Sequence, residues 1–60
     1  MTLRDLYFVS DINLKVLVAM NNEILFHDVI GRLRYSQMDY IIVDISQDKD
    51  GLIIIIVKEK

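Results

Sequence analysis

Apolar and polar positions along this chain follow two periods in turn, and the changes between them mark out five elements. Leu3, Leu6 and Tyr7 recur at helical spacing, and Phe8 and Val9 broaden the stripe. Thr2 stands in front as an N-cap, with Asp5 three residues on in a capping-box pattern that also complements the helix dipole. This predicts a short helix from Leu3 to about Val9, left through Ser10-Asp11-Ile12-Asn13. Leu14 to Met20 then reads as a strand, Asn21-Asn22 as a turn that tolerates positive φ, and Glu23 to Ile30 as the returning strand. With a three-residue loop, Val16, Val18, Met20, Ile24 and Phe26 share one face, and Lys15, Leu17, Ala19, Leu25 and His27 the other. A two-residue loop would set Lys15 opposite Asp28. The first register separates apolar from mixed positions more cleanly and is preferred.

Gly31 breaks the second strand. Arg32 to Met38 lacks alternation and reads as a loop with room for one helical turn carrying Leu33. Asp39 to Ser46 is a third strand, with Ile41, Val43 and Ile45 on one side and Tyr40, Ile42, Asp44 and Ser46 on the other. Gln47-Asp48-Lys49-Asp50-Gly51 closes a second hairpin, Gly51 suiting a left-handed position. The fourth strand runs from Leu52 to about Lys58, and Lys58-Glu59-Lys60 ends it with charges that discourage further pairing. The expected architecture is α+β in a single small domain over residues 1–60: a short N-terminal helix packed on a four-stranded antiparallel sheet made of two hairpins.

Leu52-Ile53-Ile54-Ile55-Ile56-Val57 changes this picture most, because a strand sends alternate side chains to opposite faces and this one is apolar on both. Four strands make a sheet roughly 19 Å wide. One short helix, about 10 Å across and 11–12 Å long, covers only part of one face. The second face is expected to carry Leu17, Leu25, Ile42 and alternate isoleucines of the last strand. Taking Ile53 and Ile55 as the residues that share Ile42's face, the expected association surface is Leu17, Ile42, Ile53 and Ile55. A homodimer covering it is the leading expectation, and docking of an unrelated protein is the alternative.

Size and composition point the same way. A domain of 60 residues is marginal alone, burying only about 60% of the surface its unfolded chain exposes. Small domains gain stability from disulfides, metals or oligomerisation. The chain has no Cys and a single His, which removes disulfides and argues against structural zinc. A hydrophobic fraction of 53% excludes disorder on composition. The net charge of −2 is too balanced for a general nucleic-acid binder. The polar, amphipathic start does not read as a leader peptide, and no apolar run reaches the roughly 20 residues of a membrane helix. A soluble, cytoplasmic protein is expected.

Few residues invite a chemical reading. Asp48, Asp50 and Gly51 fall in register with a calcium loop begun at Ser46, but the twelfth position, which needs a bidentate Glu, is Val57. A polar hairpin turn explains them better. His27 has Asp28 beside it, yet adjacent strand residues point apart, and Ser10, Ser36 and Ser46 have no nucleophile context. No enzyme activity, metal or cofactor is expected. Arg32, Arg34 and Tyr35 form a small basic-aromatic cluster suited to phosphate or base stacking, or to a protein interface, where both residue types are enriched. Asp39, Asp44, Asp48 and Asp50 gather near the second hairpin, as solvated charges or as a face for a basic partner.

The whole chain resembles a family of very short, uncharacterised proteins of phages and prophages of Gram-positive bacteria. The features are Thr2-Leu3-Arg4-Asp5-Leu6, Val16-Leu17-Val18, Ile24-Leu25-Phe26, Gly31-Arg32-Leu33, and a terminal hairpin around Ile42-Val43-Asp44-Ile45 and Leu52-Ile53-Ile54-Ile55. The family often has Gly in the first hairpin turn, where this chain has Asn22. The resemblance implies a mobile-element origin and an α+β fold, without an activity or site residues. Accessory proteins of this kind frequently bind and block a host protein, defence systems included. Three expectations follow: a homodimeric binder that inhibits or modulates a host protein, a virion or assembly component, and a small nucleic-acid-binding regulator using Arg32, Arg34 and Tyr35.

Overall fold

A computed structural model describes residues 1–60. Helix α1 (Leu3–Val9) is followed by strands β1 (Lys15–Met20), β2 (Glu23–Val29), β3 (Ile41–Gln47) and β4 (Ile53–Lys58). Both halves of the capping box form: the Thr2 amide donates to Asp5 Oδ2 at 3.0 Å, and the Asp5 amide to Thr2 Oγ1 at 3.4 Å. The Ser10 hydroxyl donates back to the Leu6 carbonyl at 2.6 Å where the helix ends.

The first hairpin combines the two registers the sequence allows. Asn21 and Asn22 take φ values of 52° and 68°, the primed geometry of a two-residue turn. Yet Lys15 pairs with Val29 and Val18 with Phe26, the pairing of the longer loop. A bulge reconciles them: Ala19 pairs with Ile24, leaving Leu25 as the extra residue of β2. The bulge turns Leu25 towards the core rather than the open face and puts Ile24 on the open one. Gln37 Nε2 donates to the Leu25 carbonyl at 3.2 Å.

The second hairpin is closed by Asp48, whose Oδ1 accepts from the Asp50 amide at 2.9 Å, and by Gly51 at φ 89°. Asp48 and Asp50 thus serve a turn. Val43 is an extra residue in β3, because Ile42 pairs with Val57 and Asp44 with Ile56. This bulge puts Ile42 and Ile45 on the same face, against the strict alternation expected for the strand.

The sheet is mixed, not purely antiparallel. Its order is β2-β1-β4-β3, and the two hairpins join through a parallel pair, β1 with β4. A parallel join is feasible because residues 30–40 are long enough to cross from one edge strand to the other. That crossover contains two 3-10 turns, Ile30–Arg32 and Tyr35–Gln37, and it buries Ile30, Leu33 and Met38. With Leu3 from the helix, these residues cover Val16, Val18, Ile55 and Val57. One face of the sheet is therefore roofed by helix and crossover together. At Gly31 the crossover touches the post-helix turn so closely that a Cβ would stand 2.8 Å from the Ile12 carbonyl oxygen. The charged tail after β4 does not guard an edge, since β4 is central.

Candidate interaction surface

Parallel pairing fixes which isoleucines lie under the roof. Val16 aligns with Ile53 and Val18 with Ile55, whereas Leu17 aligns with Ile54 and Ala19 with Ile56. Ile55 is fully buried, and Ile42 and Ile53 pack half-buried against the same core. These three do share a face, but it is the roofed one. Of the four residues expected on the association surface, Leu17 alone lies on the open face. The alternation of an all-apolar strand carries no phase of its own, and only its register against β1 supplies one.

The open face consists of two ordered rows. One runs His27, Leu17, Ile54, Ser46 across β2, β1, β4 and β3, and the next runs Ile24, Ala19, Ile56, Asp44. The centre is a continuous apolar block of Leu17, Ala19, Ile24, Ile54 and Ile56. Ile24 keeps 63% of its surface exposed and Ile56 37%. The borders differ in chemistry. Lys15 and His27 lie on the β1–β2 side, and Ser46 and Asp44 on the β3 side. Lys58 stands beyond the rows at the strand's exit.

The edges are less suited to a partner strand. Each edge strand carries a bulge, Leu25 in β2 and Val43 in β3, and bulges interrupt the ladder a new strand would need. The start of β3 is also occupied: the Ile42 amide donates to the Met1 carbonyl at 2.8 Å.

The basic-aromatic cluster is pulled in different directions. Arg32 pairs with Asp28 at 3.6 Å, while Tyr35 lies beneath Arg4, whose guanidinium carbon is 5.3 Å from the ring centroid. Arg4 also pairs with Asp39 at 3.3 Å. Arg34 has no ion pair. His27 and Asp28 both line a shallow depression of about 230 Å³ with Lys15 and Val29. The Asp28 carboxylate is turned to the Val29 amide at 2.7 Å and to Arg32, not to the imidazole. Asp5 is the one group with a displaced titration: its hydrogen bond from the Thr2 backbone amide holds the carboxyl below its ordinary value.

A second apolar patch, Phe8, Val9 and Ile12, projects from the helix end. Phe8 meets Tyr7 edge-to-face at 5.6 Å. Phe8 and Val9, which broaden the apolar stripe of α1 in the sequence, lie outside the part of the helix that the sheet covers. No helix is long and apolar enough to cross a membrane. No protein-family model, curated protein or solved structure matches the chain.

Proposed function

We propose that the protein is a non-enzymatic protein-binding module, homodimeric through the open face of its sheet. On this reading it comes from a phage or prophage, works in the bacterial cytoplasm, and binds and inhibits or modulates a host protein. The observation that carries the binding role is the block of Leu17, Ala19, Ile24, Ile54 and Ile56 on a face that neither helix nor crossover reaches. Monomeric soluble proteins seldom expose a contiguous apolar face of this kind without a partner. Bulges on both edge strands favour recognition through that face over strand addition. Arg4 and Arg32 are engaged by carboxylates, which speaks for protein contact over nucleic acid. The virion-component reading has no observation in its favour beyond the same face.

Sedimentation at micromolar concentration tests the dimer. The expected result is a dimer, converted to folded monomer by Ile56→Asp, because an ionised carboxylate in an apolar interface finds no partner. A wild-type monomer of unchanged shape from low to high micromolar concentration would defeat the reading. The host target is sought by capture from a bacterial lysate on wild-type protein and on a Phe8→Asp, Val9→Asp variant in parallel. A protein retained by the first and lost by the second, with the dimer intact, would place target binding on the helix-end patch.

A further inference from the structure

We propose that Leu52–Val57 is a second, latent association site: once the two hairpins part, β4 pairs through its backbone with β4 of further copies, and the chain assembles into cross-β filaments. The segment is six apolar residues without charge, Pro or Gly, five of them β-branched. That is the composition of a strand that stacks on itself. Because it is apolar on both faces, stacked copies bury Ile54 and Ile56 in one dry layer and Ile53 and Ile55 in the other. No other strand matches it. β2 carries His27 and Asp28, and β3 carries Asp44 in its middle. β1 is the nearest competitor, but it begins on Lys15 and passes through Ala19, a weak strand former.

The native sheet keeps the segment closed by its position. β4 lies between β1 and β3, so both of its ladder edges are paired. Asp48-Lys49-Asp50 before it and Lys58-Glu59-Lys60 after it flank it with charge, the usual company of an unavoidable apolar strand. One of the two edges depends on the join between the hairpins. That join is the parallel pair from Val16–Ile53 to Ala19–Ile56. The roof clamps it, because Leu33 and its crossover neighbours pack in one cluster with Val16 and Val18 of β1 and with Ile55 and Val57 of β4. Loosening the roof frees the β1-facing edge of β4. That edge has no bulge in it, since the extra residue of the second hairpin, Val43, belongs to β3. Unlike the two outer edges of the sheet, it offers an incoming strand an unbroken ladder. Detachment of β3 then supplies the second edge and lets the stack grow. The site acts through the backbone of one strand, whereas the dimer uses side chains of the open face, so neither depends on the other.

Leu33 is buried in the crossover, outside every strand, so Leu33→Ala loosens the roof without altering β4. In that background Ile54→Lys and Leu17→Lys form a matched pair. The two side chains are aligned neighbours on the open face and both are half-buried. Each therefore disturbs the subunit and the dimer alike, but only Ile54 belongs to the segment. Purified variants of the whole chain are agitated at neutral pH and followed by thioflavin T fluorescence, with fibre diffraction of the product. The expected result is that Leu33→Ala forms filaments with the cross-β spacings of about 4.8 and 10 Å. Adding Leu17→Lys leaves them in place. Adding Ile54→Lys abolishes them, because its charge would repeat at every strand of the stack. Filaments lost with Leu17→Lys but kept with Ile54→Lys assign the assembly to β1 and overturn the proposal. An equal effect of the two lysines overturns it as well. So does a loosened chain that stays dispersed, or one that precipitates without those spacings.

Discussion

Ile54 and Ile55 are neighbours with opposite roles, and the contrast is the most direct check of the fold. Ile55 is fully buried between Val18 of β1 and Ile45 of β3, within the roofed core. Ile55→Ala is expected to cost about 2–5 kcal/mol, enough to unfold much of a small domain whose total stability is of that order. Ile54→Ala removes atoms from the open face, so it should leave the core of the subunit intact and lower the melt only through weaker association, by an amount that depends on protein concentration. Circular dichroism melts of the two variants at low and high protein concentration decide it, and equal losses independent of concentration would mean that β4 is buried on both faces within the single chain. Gly31 is the other single-residue dependency. A methyl group there meets the Ile12 backbone oxygen at 2.8 Å and Ile12 Cβ at 2.9 Å, and backbone yields less readily than a side-chain tip. Gly31→Ala should destabilise by about 1–3 kcal/mol. A melt unchanged within error would mean the turn at Ile12 moves freely.

The elements were legible to different depths, for reasons that differ between them. Helix α1 was readable to the residue because Thr2 and Asp5 act within one turn of it. The Asp5 carboxylate, hydrogen-bonded by the Thr2 amide, titrates below the ordinary value of 3.8 in the native state. The unfolded chain therefore binds more protons in the window just below that value, so stability rises with pH there. The capping contribution is fully present above about pH 4 and disappears as pH falls through the lowered native value. In urea titrations between pH 2 and 5, Asp5→Asn should flatten this part of the profile. A variant profile parallel to wild type would assign the acid sensitivity to other carboxylates. The strands, their two hairpins and the main register of the first were legible, but the join between the hairpins and the phase beyond each bulge were not. Bulges at Leu25 and Val43 shift the face of every residue beyond them, and nothing in the local apolar pattern announces an extra residue. The parallel join of β1 to β4 was equally hidden, since each hairpin satisfies its own turn chemistry whichever way the two are docked. As a result the open face was expected, but three of the four residues named for it belong to the other side.

At the scale of the molecule, few side chains are fully buried for a chain this apolar, and all of them lie on one side of the sheet. The roof of helix and crossover gives the monomer a core, and the bare side gives it a surface that a second copy would complete. The parallel pair at the centre has one more consequence, which concerns the order in which the protein is made. β4 is the last of the four strands to be synthesised, yet it occupies an inner position between β1 and β3. Val16 waits for Ile53, more than half the chain away. Until β4 emerges, the first hairpin has an exposed inner edge and its half of the core has no floor. Folding of this small domain therefore waits for β4, and a chain cut before Ile53 lacks the middle of its sheet.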